Sequence, residues 1–162
     1  YRMTATNRSV REIINELNQQ LKDSMPVGRF VAATLLRLDT EMRDGEIWVG
    51  GTPEALLCDR WGREEKVFDS ANLPLGIVGN ADLDCQPVKF TWLTESQIIL
   101  CSDGLLEAEN PQGQQFAQIG LRHAIANTSP QNRFTQIETA LHKHLDGALA
   151  ADDISLMIID CP

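Results

Sequence analysis

Two short stretches of the chain place carboxylates beside apolar runs. Asp103 and Gly104 follow the apolar stretch Ile98–Cys101, and Asp152 and Asp153 precede a second stretch rich in isoleucine, leucine and methionine. Each run is too short for a helix core and has polar neighbours, so we predict two buried strands. If these strands lie side by side, Asp103 converges with Asp152 or Asp153. Converging carboxylates repel each other unless a cation lies between them, and oxygen ligands suit magnesium or manganese.

The first acidic stretch also has a simpler interpretation. An Asp-Gly pair after a strand is a common turn signal, and glycine lets a backbone turn sharply or approach another group closely. A carboxylate directly after a buried strand is costly unless something pairs with it. The metal hypothesis for Asp103 therefore depends on the second acidic pair lying beside it.

The flanking sequence predicts the elements that would hold these residues. The order of elements, a helix, several strands, two helices and a final strand, is typical of an α+β fold. We expect an antiparallel meander up to Asp69, with a turn at Asp44-Gly45, and a hairpin leading into Asp103. Trp48 and Trp61 are expected to be packing residues. The predicted elements are a helix capped by Asn7 or Ser9 and ending near Leu21, strands Phe30–Leu38, Glu46–Gly50, Glu54–Cys58, Glu64–Phe68, Gln86–Trp92, Gln97–Ser102 and Ile154–Ile159, and helices Phe116–Ala126 and Asn132–Leu145.

Length and composition restrict the class of protein. The 162 residues fit one domain, 1–162, and carry 14 Lys and Arg against 23 Asp and Glu, a net charge of −9. This charge argues against binding to a nucleic-acid backbone, and no apolar run has the length of a membrane span. The four cysteines show no metal or redox spacing, so a reducing cytoplasm is the expected location. Because the chain starts at Tyr1 rather than at Met, we expect it to be part of a longer protein.

Four motifs resemble, in order, those of the SpoIIE-type, protein phosphatase 2C-like (PPM) serine/threonine phosphatases. Gly50–Leu57 resembles the family's "AGHPPPLL" hairpin, and Leu73–Ile77 resembles its "PLG" loop. Cys101–Ala108 resembles the "TDG-x-x-E-A" motif, and Asp152–Leu156 resembles the closing "DDIT" motif. Each motif is short, but the ordered set extends over nearly the whole chain.

The resemblance implies a fold and a metal centre. The fold would be α+β, with two antiparallel sheets packed as a sandwich and flanked by helices. Asp103 and Asp152 match metal ligands of the family, while Gly104 and Asp153 are additional candidates for the metal site or its cleft. The complete domain would hold two manganese or magnesium ions that activate water for direct attack on phosphorus. No catalytic side chain is then required, and none is predicted.

The chain also departs from the family pattern. Segments of the type "GGDxxD" and "DVSGHG", which supply further ligands before the first helix, do not occur, and Thr52 replaces the usual His of the hairpin motif. Two explanations remain open: an N-terminally incomplete phosphatase domain, or a degenerate phosphatase-like domain kept for binding. In either case we expect these residues alone to be inactive or nearly so.

The resemblance further implies a role in bacterial signalling. The expected function is a metal-dependent phosphoserine or phosphothreonine phosphatase, the output domain of a signalling regulator. Its substrate would be a phosphoprotein such as an anti-sigma-factor antagonist, and a receiver or sensor domain would precede it in the parent chain. The alternative is a catalytically inactive adaptor domain that binds a sigma factor or its regulator.

Overall fold

The computed structural model describes residues 8–162, so Asn7, the alternative cap of the first helix, lies outside the described residues. No helix in this described range is long and apolar enough to cross a membrane. The elements in chain order are α1 (Val10–Ser24), β1 (Ala33–Asp39), β2 (Asp44–Gly50), β3 (Ala55–Asp59), β4 (Glu64–Phe68), β5 (Val88–Thr91), β6 (Ser96–Cys101), α2 (Asp103–Leu106), α3 (Ala117–Ile125), α4 (Pro130–Leu145) and β7 (Leu156–Cys161).

The strands form two sheets. One has three strands in the order β1-β2-β5, and the other has four in the order β4-β3-β6-β7. The pairings β1–β2, β2–β5, β3–β6 and β6–β7 are all antiparallel. The predicted α+β class with two antiparallel sheets is confirmed. The chain divides into two compact units, one comprising the described part of Tyr1–Thr52 with Phe68–Trp92, the other Pro53–Val67 with Leu93–Pro162.

The first unit is built on α1 and the three-stranded sheet. Ser9 caps α1 in a capping box, in which the Ser9 backbone N–H donates to Glu12 Oε2 at 2.8 Å and the Glu12 N–H donates to Ser9 Oγ at 3.3 Å. The buried face of α1 includes Ile14, which belongs to the same apolar cluster as Trp48 of β2. Trp48 is 1% exposed, as its predicted packing role requires.

The first strand is shorter and less buried than predicted. Phe30 is 57% exposed, and β1 begins at Ala33 with most of its residues only half-buried. The lower burial follows from the position of β1 at the edge of an antiparallel sheet, since an antiparallel sheet can pack against the core with one face and leave the other in solvent. A continuous apolar run does not distinguish that position from a central strand.

The Asp44-Gly45 pair is not a turn. Both residues belong to β2, and Asp44 pairs with Asp39 of β1. The chain reverses at residues 40–43 instead, where Arg43 has φ +52°. Gly45 serves packing, because a side chain there would overlap the ring of Phe90, its partner on β5. The prediction took a packing glycine for a turn glycine.

The predicted meander breaks between β2 and β3, and the predicted hairpin is wrong. β1 pairs with β2, and β3 lies beside β4, but β2 and β3 belong to different sheets. β5 pairs with β2, whereas β6 pairs with β3 and β7, so strands close in sequence belong to different sheets. The segment that links β5 to β6 has the length of a hairpin loop, so the two strands were expected to pair with each other. Each of them pairs instead with a strand far away in sequence, and these long-range pairings determine the topology.

The second unit has its own core. All five residues of β3 are buried, and the cluster around them includes Leu56, Ile99, Leu121 and Ile137 from four different elements. Arg133 of α4 is also fully buried in this unit. Burial lowers the pKa of its guanidinium, an effect that the nearby acidic groups oppose.

Candidate functional site

The ends of β6 and β7 bring the two acidic stretches to one edge of the four-stranded sheet. Cys101, the last residue of β6, pairs with Leu156, the first residue of β7. Because the strands are antiparallel, the chain leaving β6 and the chain entering β7 lie side by side. Asp103 follows Cys101 by two positions, and Asp153 precedes Leu156 by three.

Ser102 fixes the two segments to each other beyond the paired strands. Its backbone N–H donates to the Ser155 carbonyl at 3.0 Å, which extends the β-ladder by one step. Its hydroxyl donates to the Asp153 carbonyl at 3.1 Å and accepts from the Ser155 N–H at 2.9 Å. One side chain therefore satisfies backbone groups on both sides of Ile154 and sets the position of the Asp152-Asp153 pair.

Gly104 allows the acidic segments to approach each other. A Cβ on Gly104 would lie under 3.0 Å from the Asp153 carbonyl oxygen, 3.0 Å from the Asp153 carbonyl carbon and 3.3 Å from that of Asp152. Such distances exclude any side chain without a shift of the backbone. The glycine after Asp103 thus serves a close approach, and the group approached is the Asp152-Asp153 backbone. No left-handed turn is involved, because Gly104 lies within the single-turn helix α2.

The carboxylates of this edge face solvent. Asp103, Asp152 and Asp153 are all exposed, so the desolvation cost expected for a carboxylate after a buried strand is avoided. Asp103 Oδ1 accepts from the Gly104 N–H at 3.0 Å, and Asp152 Oδ1 accepts from the Asp153 N–H at 2.7 Å. These local bonds restrict the rotation of both side chains at the base of the edge.

The structure brings the predicted site residues into one place without completing a ligand cage. Asp103 and Gly104 lie beside Asp152 and Asp153, as the strand pairing predicted. Across residues 8–162, however, no three His, Cys, Asp or Glu side chains are grouped closely enough to hold a metal ion. The assignment of Asp103 and Asp152 as metal ligands, with Gly104 and Asp153 as additional candidates, therefore stays a prediction.

Two further sequence motifs meet in the first unit. Gly51 has φ +77°, and a side chain there would overlap the ring of Pro74. The hydroxyl of Thr52, which stands in place of the family's His, shares a 2.7 Å hydrogen bond with the Thr34 hydroxyl. The beginning of the Gly50–Leu57 motif and the "PLG" loop therefore pack together.

Sequence reasoning missed two residues that organise the second unit. Ser102 was noticed only as the last residue of a predicted strand, although its place between a strand and an aspartate is a usable signal. Arg122 of α3 joins two acids, with Nη2 2.7 Å from Glu54 Oε1 and Nε 2.8 Å from Glu64 Oε2. The hydrogen bond to Glu64 is the main cause that raises the Arg122 pKa. These partners are far apart in sequence, so no local pattern reveals them.

Comparison with known families identifies the chain. The family model described as "Stage II sporulation protein E (SpoIIE)" matches residues 1–162. The chain belongs to the SpoIIE family. The match confirms the resemblance that the four ordered motifs indicated. No curated protein sequence matches it.

Solved structures show the same fold at low sequence identity. The SiaA-PP2C domain of Pseudomonas aeruginosa aligns with TM-score 0.75 and 18% identity over 93% of the SpoIIE-family chain and 60% of the other. The PP2C phosphatase domain of SpoIIE from Bacillus subtilis, solved with a fragment of its regulatory domain, gives TM-score 0.76 and 15% identity over 97% of this chain and 46% of that one. The structure of the RsbU and RsbW domains of a Mycobacterium tuberculosis protein gives TM-score 0.75 and 16% identity. The alignment covers 96% of the SpoIIE-family chain and 43% of the other.

These alignments establish the fold and the extent of the match. The SpoIIE-family chain spans between 43% and 60% of the lengths of those three structures. It is a phosphatase-like domain with the PP2C fold. Two related structures concern metals directly: RsbX is described in complex with magnesium, and a SpoIIE phosphatase domain is described as presoaked with Mn.

Proposed function

We propose that this chain is a metal-dependent phosphoprotein phosphatase domain that acts on phosphoserine or phosphothreonine. The observation that carries the proposal is the edge formed by Ser102–Gly104 and Asp152-Asp153 in a chain of the SpoIIE family. Asp103 and Asp152 are the proposed metal ligands, and Gly104 and Asp153 form the adjoining cleft. Ser102 and Gly104 hold the two acidic segments at a fixed separation.

The donor set at this edge suits manganese or magnesium. Asp103, Asp152 and Asp153 offer carboxylate oxygens, and hard divalent cations prefer oxygen ligands. The magnesium and manganese in the descriptions of related structures agree with this preference. When bound, two such ions supply Lewis acidity toward the phosphoryl group and lower the pKa of water. The chain's own contribution is to place the carboxylates in solvent at the end of a rigid sheet.

The proposed biological setting is a bacterial signalling regulator. One solved structure with this fold contains RsbU and RsbW domains together, and another includes part of a regulatory domain. These associations support a phosphoprotein substrate of the anti-sigma-factor antagonist type and a receiver or sensor domain in the parent protein. The four free thiols support a cytoplasmic location.

One observation favours a second candidate function. Within the described residues no three ligating side chains, those of the acidic edge included, are grouped closely enough to hold a metal ion, and a domain that holds metal weakly would catalyse poorly. A catalytically inactive adaptor that binds a sigma factor or its regulator uses the same fold without needing a complete metal centre. The two candidates differ in whether Asp103 is required for turnover.

Activity in manganese tests the proposal. The full-length protein should hydrolyse p-nitrophenyl phosphate and a phosphoserine peptide, and Asp103→Asn should lower kcat/KM by at least about tenfold because a ligand is lost. Asp146→Asn is the matched control. Asp146 is an exposed aspartate of the same unit with φ +45°, a conformation that asparagine tolerates. This control should retain full activity.

Metal binding provides the second measurement. Manganese titrated into the protein and followed by electron paramagnetic resonance should show a bound fraction that Asp103→Asn and Asp152→Asn reduce and Asp146→Asn does not. If the wild-type protein is folded and loaded with manganese but has no phosphatase activity, the proposed enzymatic function is wrong and the adaptor function takes its place. Equal manganese binding by wild type and Asp103→Asn would reject the assigned ligands.

A further inference from the structure

The turn between β3 and β4 presents an aromatic ring between two arginines. Trp61 was predicted to be a packing residue, but it is 55% exposed. The guanidinium carbon of Arg60 lies 5.2 Å from the centroid of its ring, and that of Arg63 lies 5.8 Å away. Both distances are within the range of cation–π contacts. We call residues 60–63 the Arg-Trp tip.

Asp59 holds the Arg-Trp tip in one conformation. Its Oδ1 accepts hydrogen bonds from the backbone N–H groups of Trp61 and Arg63, both at 2.8 Å. Its own N–H donates to the Arg63 carbonyl at 2.9 Å, and its carbonyl accepts from the Gly62 N–H at 3.0 Å. Four hydrogen bonds with Asp59 therefore fix the backbone of the tip.

The tip is also anchored to the core of its unit. Gly62 has φ +77°, and a side chain on it would overlap the carbonyl of Ile125 at the end of α3. The buried Arg133 donates from Nη2 to the Asp59 carbonyl at 2.9 Å. An exposed tryptophan on a backbone fixed in this way loses little conformational freedom when a partner covers it.

The charge of the tip contrasts with the charge of the chain. Arg60 and Arg63 stand on a protein with a net charge of −9. Arg60 lies 3.4 Å from Glu95, but both side chains are about half or more exposed, and such surface pairs contribute little. A cavity of about 330 Å³ lies beside the tip, lined by Arg60, Trp61, Glu95 and residues 127–131.

We propose that the Arg-Trp tip is a docking site for a carboxylate-rich segment of a partner protein. The two guanidinium groups match carboxylates in bidentate geometry, and the ring of Trp61 offers an apolar surface between them. Tryptophan and arginine are the residues most enriched at binding hot spots. The two arginines attract an anionic segment, while the net negative charge of the chain repels a long, highly charged nucleic-acid backbone more strongly than a short acidic peptide. A short acidic peptide segment is therefore the occupant that the charges favour.

This docking site is separate from the acidic edge. Asp59 pairs with Ser96 at the beginning of β6, whereas Asp103 follows the end of β6. A strand of six residues separates the two places by roughly 17–20 Å. The proposal therefore holds whether or not the chain is a phosphatase, and changes at the tip leave the acidic edge intact.

Tryptophan fluorescence isolates the tip. The other two tryptophans, Trp48 and Trp92, are 1% and 2% exposed, so acrylamide quenching of the native protein reports mainly on Trp61. A Glu-rich peptide with one central leucine should protect Trp61 from acrylamide. A Lys-rich peptide with the same leucine should give no protection.

Matched variants complete the test. Arg63→Glu should weaken binding of the dye-labelled Glu-rich peptide by at least about tenfold, because it replaces an attractive charge by a repulsive one. Arg29→Glu changes another exposed arginine, in the other unit, and should alter binding by less than about twofold. Equal effects of the two variants, failure of the peptide to protect Trp61, or tighter binding of oligothymidylate than of the peptide would each overturn the proposal.

Discussion

Replacing Gly104 by alanine tests how closely the acidic segments must approach each other. The new methyl group would lie under 3.0 Å from the Asp153 carbonyl oxygen and 3.0 Å from its carbon. Both are backbone atoms, so no side chain can rotate away to relieve the overlap. The segment that carries Asp152 and Asp153 must move, and the hydrogen bonds of Ser102 to that segment, at 3.1 and 2.9 Å, must lengthen.

The net effect on stability follows from opposing contributions. Two weakened hydrogen bonds cost about 1 kcal/mol each, and overpacking costs roughly 1–3 kcal/mol. Alanine gains about 1 kcal/mol over glycine inside a helix, which offsets part of this loss because Gly104 lies in α2. We therefore expect Gly104→Ala to lower the free energy of unfolding by about 2–4 kcal/mol, and to weaken manganese binding by shifting Asp152 away from Asp103.

Urea unfolding and a manganese titration measure the two effects. Gly79→Ala is the matched control, since a side chain at Gly79 meets no atom within 4 Å and its φ is not positive. The control should change the free energy of unfolding by less than about 0.5 kcal/mol. A Gly104→Ala protein with wild-type stability and wild-type manganese affinity would refute the reasoning that the close approach sets the geometry of this edge.

Two further predictions concern buried groups of the second unit. Arg133→Leu should lower the free energy of unfolding by about 3 kcal/mol or more, because it removes the buried guanidinium that donates hydrogen bonds to Gln97 Oε1 and to the carbonyls of Asp59 and Thr128. In urea unfolding this loss should greatly exceed that of exposed Arg37→Leu, and equal losses would contradict the anchoring role. Burial raises the pKa of the Cys58 thiol from 9.0 to about 11, so the unfolded chain loses this proton at lower pH than the folded chain. The Cys58 contribution to stability should therefore fall by about 2 kcal/mol as pH rises from 9 to 11, in addition to the contributions of Cys101 and Cys161, whose pKa values burial also raises to about 11. Cys58→Ala should show a correspondingly shallower fall, and identical slopes would contradict the prediction.

The acidic edge was predictable because its signals are local. Asp103 and the Asp152-Asp153 pair each flank a short apolar run. The two runs become β6, a central strand, and β7, the neighbouring strand at the edge of the same sheet. Once β6 and β7 pair, the positions of their flanking residues are fixed by the register. The resemblance to a known family added the same four positions independently. The role of Ser102 was not predicted, because it depends on hydrogen bonds to a segment about fifty residues away. The short helix α2 was not predicted, because its four residues give no helical periodicity.

The pairing of the strands was not predictable from local patterns. A short link between β5 and β6 indicates a hairpin, but each strand finds its partner in a different sheet. Gly45 illustrates the same difficulty, since its purpose is visible only when the ring of Phe90 lies beside it. Trp61 was expected to be a packing residue because large aromatic residues are highly buried on average. Its exposure depends on the turn built by Asp59, which composition does not reveal.

The interleaving of the two units in the sequence has a consequence for synthesis on the ribosome. The chain passes from one unit to the other three times, so neither unit is a continuous segment. β3 leaves the ribosome long before β6, its pairing partner, which begins 37 residues after Asp59. At about 5–20 residues per second, the nascent chain exposes the apolar side chains of Leu56 and Leu57 for several seconds.

During that interval β3 has β4 as a neighbour on one side, and its other edge, which pairs with β6 in the folded protein, is open. Such edges pair readily with other chains, so the translating polypeptide is most prone to aggregate between the emergence of β3 and that of β6. A ribosome stalled in this window should recruit a holdase chaperone, and release of the chain after β6 has emerged should end that requirement.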